Sequence, residues 1–131
     1  MSIEQAFHDR WENDVPISAL IPVARVFTGN AAGDPALAYV TARRTGGRTE
    51  GRTSTGTSLR RAVLEATVWT DDLDEGKLIV TEMIRLYDGA DFSLAVGAVL
   101  DMRLTDHQEN MNDDGIWQLT LTFSALTTTT N

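Results

Sequence analysis

The stretch Ala66-Thr-Val-Trp-Thr-Asp-Asp-Leu-Asp-Glu-Gly76 decides the fold that we predict for this chain. Up to Thr70, apolar and polar residues alternate from about residue 59, which is typical of a strand with one buried face. From about Asp72 to Asp88, apolar residues recur every three or four positions, which indicates an amphipathic helix. A strand that leads directly into such a helix predicts a sheet with a helix lying across it.

Four carboxylates fill the junction between this strand and this helix: Asp71, Asp72, Asp74 and Glu75. Asp71 or Asp72 suits the N-cap of the helix, and carboxylates in the first turn suit the helix dipole. Capping explains the cluster more simply than metal or acid–base chemistry does. We therefore interpret it as a helix start that could also serve as an acidic docking face.

The elements on either side follow from the same periodicities. An amphipathic helix is predicted over residues 2–13, with Ile3, Phe7 and Trp11 buried, and a packed turn over residues 17–21. The other predicted strands are 23–28, 37–43, 94–105 and 116–126, with a polar loop at 106–115 and a frayed tail at 127–131.

These elements predict one domain spanning residues 1–131. Its class is α+β, in two layers: a mostly antiparallel sheet of about five strands, with two amphipathic helices on one face. The composition, with 42% hydrophobic and 23% charged residues, fits an ordinary globular domain.

Residues 44–58, which we call the 44–58 arm, interrupt this pattern with glycine, threonine and arginine and no apolar side chain. The segment has nothing to bury within its own domain. Two interpretations remain open: a flexible solvated loop, or a projecting hairpin that becomes ordered against another subunit.

Basic residues are concentrated around this arm, although the chain as a whole has a formal net charge of −8. Six of the eleven basic residues lie within nineteen positions: Arg43, Arg44, Arg48, Arg52, Arg60 and Arg61. The segment lacks aromatic residues for base stacking and the rest of the chain would repel a polyanion, so we expect no specific nucleic-acid binding. A basic surface on an acidic body predicts self-association instead, with the arginines of one copy meeting acidic residues such as Asp71, Asp72, Asp74 and Glu75 of the next.

No catalytic, cofactor-binding or metal-binding motif is complete. Residues 51–58 resemble a phosphate-binding loop but have Thr57 where lysine is required, and residues 110–121 resemble a calcium loop but end in Leu121 where glutamate is required. His8 and His107 have no neighbours at ligand spacing, and the chain contains no cysteine. We predict a protein that is not an enzyme, needs no cofactor and, lacking a long apolar run or a visible secretory signal, does not enter a membrane.

The order of elements resembles that of the tail-terminator, or tail-completion, proteins of long-tailed bacteriophages and prophages. The resemblance lies in the N-terminal helix with Ile3 and Phe7, the strands at 37–41 and 61–70, the helix 73–87 that follows Trp69, and the closing strand 117–123. The 44–58 arm is richer in arginine and glycine than the family pattern.

This resemblance implies a structural protein of the virion tail, assembled in the cytoplasm of the bacterial host. Such proteins form a hexameric ring that caps the tail tube, terminates its polymerisation and contributes to the surface that joins the head. The implied partners are further copies of the chain, the tail tube protein and a head-completion or connector protein.

The alternative is a small α+β enzyme or ligand-binding domain. Its pocket would lie between the helices and the sheet and would be lined by Trp11, Tyr87 or Trp117. Large aromatic residues at these positions are more typical of a core.

Overall fold

The computed structural model describes residues 3–29, 36–52, 57–93 and 98–130. The helices are α1 (Ile3–Glu12), α2 (Val15–Leu20) and α3 (Leu73–Tyr87), with a short 3-10 helix at Val23–Arg25. The strands are β1 (Val26–Thr28), β2 (Tyr39–Arg52), β3 (Thr57–Thr70), β4 (Ala90–Ser93), β5 (Ala98–Met111) and β6 (Trp117–Thr130). In this part of the chain, no helix is both long and apolar enough to cross a bilayer.

All six strands form one sheet in the order β1-β2-β3-β6-β5-β4. The pairing of β1 with β2 is parallel and every other pairing is antiparallel. The central strands β3 and β6 pair from Thr57 opposite Thr130 to Thr70 opposite Trp117 without a register shift. The predicted α+β class and the mostly antiparallel sheet are confirmed.

The core lies between the helices and one face of the sheet. On β3, Leu64, Ala66 and Val68 are fully buried, and their neighbours in register on β6 belong to the same apolar cluster, as do Ala42 and Val40 of β2, which pair with Ala66 and Val68. The helices contribute large side chains to this cluster: Ile3, Phe7 and Trp11 from α1, and Ile79, Val80, Met83, Leu86 and Tyr87 from α3. On the other face of the sheet the residues are more polar, and the hydroxyls of Thr67 and Thr120 lie 3.1 Å apart.

Helices α1 and α3 are joined by an aromatic contact. The rings of Phe7 and Tyr87 stack with centroids 4.1 Å apart, and the Tyr87 hydroxyl donates a hydrogen bond of 2.6 Å to the Phe7 carbonyl oxygen. Burial raises the pKa of Tyr87 well above its usual value, so the phenol keeps the proton that it donates. Because a buried hydroxyl needs a hydrogen-bond partner, this bond fixes the position of α1 along α3.

Gly76 sets the distance between α3 and the sheet. It is buried in the first turn of the helix, and a Cβ atom there would lie 2.6 Å from Leu119 Cδ1 and 2.8 Å from Thr70 Cγ2. Leu119 and Thr70 are themselves fully buried, so neither can move aside freely. The absence of a side chain at position 76 therefore permits the close approach of the helix to β3 and β6.

A polar contact ties α2 to α3. Asp14 caps α2 by accepting the Ile17 N–H at 3.1 Å, and its Oδ2 also accepts a 2.6 Å hydrogen bond from Arg85 of α3. Desolvation raises the pKa of Asp14, but the Arg85 hydrogen bond, the Ile17 N–H and the charges of Arg85 and Arg10 outweigh it, and the pKa is lowered.

Two elements differ from the sequence-based expectation in number. The sheet has six strands where about five were predicted, because β4 has four residues and no alternating pattern that would reveal it. Three helices form where two were predicted, because residues 15–20, which lie within the predicted packed turn and just before it, make a short helix. Asp14 at its N-cap and Pro16 in its first turn favour that start.

Two segments predicted to be irregular lie in strands, and so does the 44–58 arm, for which a loop and a projecting hairpin were both open. Strand β5 continues through most of the predicted loop to Met111, and residues 127–130 of the predicted frayed tail pair with residues 57–60 of β3. The 44–58 arm is not seen as a separate projection, since its described residues continue β2 to Arg52 and begin β3 at Thr57. Each segment gains backbone hydrogen bonds with little apolar burial, so hydrophobic periodicity does not report it.

Substituting Gly76→Ala should destabilise the protein by about 1–3 kcal/mol, because the new methyl group forces α3 away from Leu119 and Thr70. Chemical denaturation followed by circular dichroism measures the change. Gly46→Ala is the matched control, since a Cβ there has no neighbour within 4 Å. Equal stability of the two variants would contradict the close-packing role of Gly76.

Substituting Asp14→Asn should keep the cap of α2 but remove the ion pair with Arg85, at a cost of less than about 1 kcal/mol because Arg85 is partly exposed. The lowered pKa means that the ionised carboxylate stabilises the fold above its unfolded pKa of about 4, and that this contribution is lost as the pH falls through the lower folded value. Denaturation curves should therefore separate the two proteins at pH 7 and converge at acidic pH. A constant difference between pH 7 and pH 3 would refute the assignment.

Candidate functional site

The arginines singled out in the sequence lie on the adjoining halves of β2 and β3. Arg43, Arg44 and Arg48 of β2 and Arg60 of β3 are exposed, and Arg61 is half-buried. The backbone of Arg52 pairs with Ser58, while its side chain lies outside the described residues. We call the end of the sheet that carries these five described side chains the basic end.

The basic end presents charge on both faces of the sheet. Arg44 pairs with the core residue Leu64, so it lies on the helix-covered side, and Arg60 lies on the same side in the row of Ala62 and Leu64. On the other side, Arg48 pairs with Arg61, whose Nη1 donates a 2.9 Å hydrogen bond to Ser124 Oγ.

An open depression of about 380 Å³ lies on the basic end. It is lined by Arg44, Thr45, Gly46, Gly47 and Arg60. Because β2 shifts register between Arg44 and Gly46 and the two glycines lack side chains, the backbone is accessible between two guanidinium groups. The chemistry of this surface suits a carboxylate from a partner.

Arg43 and Arg44 each lie next to a carboxylate among the described side chains. Arg43 lies 3.4 Å from Glu65 on the neighbouring strand, and Arg44 lies 3.3 Å from Glu4 of α1. Exposed ion pairs of this kind contribute little to stability. They can therefore be rearranged at small cost when another charged surface approaches.

The acidic residues singled out in the sequence lie at the opposite end of β3. Asp72 is the N-cap of α3, and its Oδ1 accepts the N–H groups of Asp74 and Glu75 at 3.0 and 3.3 Å. Asp71, Asp72 and Asp74 are exposed. The structure thus places the arginines and this acidic junction (residues 71–75) apart within one copy, and even the nearest of these arginines, Arg43, pairs with Glu65, so that residues 66–70 of β3 separate it from the junction.

A second acidic surface escaped the sequence reasoning. Residues 105–111 of β5 are exposed on both sides of the strand and carry Asp106, His107 and Glu109. Residues 106–111 were expected in a loop because neither face of this segment is apolar. The antiparallel hairpin expected from the two closing strands and their Asn- and Asp-rich turn is present, but its turn is shorter: Asn112 Oδ1 accepts the N–H groups of Asp114 and Ile116, and Gly115 adopts φ +79°.

One set of side chains has metal-ligand spacing among the described residues. The ligand atoms of His8, Asp9 and Glu12 on α1 lie within 4.8 Å of one another. Asp9 already accepts a 2.9 Å hydrogen bond from Gln5, and clusters of this kind are common on exposed helix faces without an ion. We assign no function to it.

The aromatic residues expected to line the pocket of the enzyme alternative do not form one. Trp11 and Tyr87 are fully buried in the core, and the Trp11 Nε1 donates a 3.0 Å hydrogen bond to the Ile21 carbonyl oxygen. Trp117 is half-buried at the start of β6. Trp11 and Tyr87 therefore fill the space between helices and sheet where that pocket was expected.

The fold is one that a virion protein also adopts. A solved chain described as the virion of a native gene transfer agent (GTA) particle superposes with a TM-score of 0.79 at 16% sequence identity, covering 97% of this chain and 95% of that chain. The search of curated proteins found no match.

The family is established by sequence. The profile described as tail completion protein gp17 matches residues 5–128, nearly the whole chain, and the protein belongs to this family. Membership of this family makes it a structural protein of a phage-type tail, located in the virion tail. The family expectation drawn from the order of elements is thereby confirmed.

Substitution of Asp72 and of its neighbour Asp71 tests whether Asp72 caps α3. Asp72→Ala should destabilise the protein by about 1 kcal/mol, because two N–H groups of α3 lose their acceptor. Asp71→Ala, at an exposed position one residue earlier, should change stability by less than about 0.5 kcal/mol. Thermal denaturation of both variants measures this, and equal losses would argue against the cap.

Proposed function

We propose that the protein forms a ring on the end of the completed tail tube, stops tube polymerisation and contributes to the surface that joins the head. The observation that carries this proposal is the family membership over residues 5–128. The ring is a homohexamer, it assembles in the cytoplasm of the bacterial host, and its function is structural rather than catalytic. Its partners are the tail tube protein and a head-completion or connector protein.

The distribution of charge supports contact between copies. The basic end and the acidic junction occupy opposite ends of β3, so neither can neutralise the other within one copy. A molecule with opposite charges on distinct surfaces favours head-to-tail contact, and such contact closes into a ring when the rotation between copies allows it. Arg43, Arg44, Arg48, Arg52, Arg60 and Arg61, together with Asp71, Asp72, Asp74 and Glu75, are proposed as contact residues in the assembly.

Tail tubes polymerised in the presence of the protein should be shorter than tubes polymerised alone, and negative-stain images should show a ring at one end. Tubes of unchanged length with bare ends would refute the function. The free protein can remain monomeric at low concentration, so the assay is performed on tubes.

The contribution of the basic end can be tested in the same assay. Arg60→Ala should weaken capping several-fold, because it removes an exposed cation from the proposed contact surface. Lys77→Ala, which removes an exposed cation from α3, is the matched control and should cap as the unmodified protein does. Equal capping by both variants would exclude Arg60 from the contact.

A further inference from the structure

The sheet has two exposed edges at diagonally opposite corners. On β2, the partner strand β1 ends opposite Ala42, whose carbonyl oxygen accepts the Gly29 N–H at 2.8 Å. Within the described ranges, β2 pairs on one side only from Arg43 to Arg52, and we call this segment the β2 edge.

The second edge belongs to β5. Strand β4 pairs with β5 as far as Met102, and Asp88 Oδ1 then accepts the Leu104 N–H at 2.9 Å. From Thr105 to Met111, no strand of the described part of the chain covers the outer side of β5, and we call this segment the β5 edge. Backbone groups on such an edge are a template for a further strand.

The two edges carry opposite charge. The β2 edge, residues 43–52, contains four arginines and one glutamate. The β5 edge and the turn that follows it, residues 105–114, contain Asp106, Glu109, Asp113 and Asp114 and neither lysine nor arginine. Two β2 edges repel each other, as do two β5 edges, whereas a β2 edge attracts a β5 edge. This complementarity selects a second copy of the chain as the occupant, in a head-to-tail arrangement.

We propose that the β2 edge of one copy pairs with the β5 edge of the next, so that the sheets of neighbouring copies are continuous. This inference rests on the proposed ring and identifies its contact. Three antiparallel pairings separate β2 from β5 within one copy, so the two strands run in opposite directions. A neighbour in the same orientation therefore presents β5 antiparallel to β2, which gives the stronger type of ladder.

The register of this pairing follows from the charged residues on the helix-covered side. Residues that pair directly across the sheet form a row, which we identify by its residue on β6. Arg44 pairs with Leu64 and Leu64 pairs with Phe123, so Arg44 lies in the row of Phe123, whereas Glu109 pairs with Leu119. These β6 residues are four positions apart. A shift of four residues between neighbours therefore brings Arg44 of one copy opposite Glu109 of the next.

The charged residues on the other side require the same shift. Arg48 lies in the row of Leu126, through Arg61, and Asp106 lies in the row of Thr122, again four positions apart. One stagger thus satisfies two charge pairs on opposite faces. Opposite charges directly across an antiparallel ladder stabilise it.

The stagger also satisfies two geometric constraints. An even shift keeps the helices of both copies on the same side of the sheet, whereas an odd shift would place them on opposite sides. In this register the new ladder runs from Arg43 opposite Asn110 to Arg48 opposite Asp106. Met111 lies outside this ladder, because Ala42, the residue opposite it, already pairs with Thr28 of β1. The shift is about 13 Å per copy, and strands that are tilted to the ring axis accommodate such a shift, as they do in barrels.

Engineered disulfides test the register, because the native chain has no cysteine. Gly47 lies in the row of Ala125 and His107 in the row of Leu121, so the stagger places them opposite each other between copies. Within one copy they are separated by three strand spacings, about 14 Å, and by four rows, which is too far for a disulfide. A Cβ at Gly47 would lie 3.4 Å from the Arg61 carbonyl oxygen, an ordinary contact.

Copies carrying Gly47→Cys are mixed with copies carrying His107→Cys and oxidised, both free at high concentration and bound to tail tubes. We expect a covalent dimer on non-reducing gels. In the matched control, Gln108→Cys replaces His107→Cys; this residue is one position away and faces the other side, so the yield should fall by about tenfold or more. The absence of the Gly47–His107 dimer from both preparations, or an equal yield with the control, overturns the proposal.

Charge reversal provides a second measurement that does not depend on cysteine chemistry. Arg48→Asp and Asp106→Arg should each reduce the fraction of capped tubes several-fold, and the two changes combined in one chain should restore it, because the pair is re-formed between copies. Failure of the combined variant to recover would overturn the pairing.

The outcomes separate this proposal from the proposed function. If rings form on tubes but the disulfide does not form and neither charge reversal reduces capping, the proposed ring is supported and this contact is excluded. A disulfide between free copies, in a protein that does not cap tubes, supports the contact and refutes the capping function.

Discussion

The uninterrupted ladder between β3 and β6 is the interaction on which the rest of the structure depends. Its fourteen residue pairs run from Thr57–Thr130 to Thr70–Trp117 without a bulge. Because the pairing has no register shift, every second residue of both strands faces the helices over the whole length. The apolar rows that result, including Leu64 and Phe123, are the surface on which α1 and α3 pack.

The same ladder is longer than the core that it supports. At one end it extends with β2 into the basic end, and at the other β6 pairs with the exposed segment 105–111 of β5. In both regions the backbone is hydrogen-bonded on the inner side, while the side chains remain accessible. Strands β2 and β5 thus extend beyond β1 and β4 at opposite corners of the sheet, and the proposed pairing between copies depends on this geometry and on the opposite charges of the two edges.

The parts of the fold that could be predicted are those in which buried residues recur with a regular spacing in the sequence. Phe7, Trp11, Ile79 and Met83 recur at helical spacing and are buried as expected. The acidic junction was interpreted correctly as a helix start, because Asp72 and the N–H groups that it accepts are local in sequence. The strand segments 106–111 and 127–130 were not recognised, and 44–52 stayed open between a loop and a hairpin, because their order comes from backbone hydrogen bonds to neighbouring strands and not from a buried apolar face.

The sequence by itself determined the family, the α+β class, the position of α3 and the concentration of arginines in an otherwise acidic chain. All of these depend on local order or on composition. Only the tertiary structure decided which strands form the edges, that the arginines and the acidic junction lie at opposite ends of β3, and that Asp106 and Glu109 occupy a strand. The physical reason is that strand pairing joins residues far apart in the chain, and its backbone hydrogen bonds are largely independent of the side chains that a sequence records.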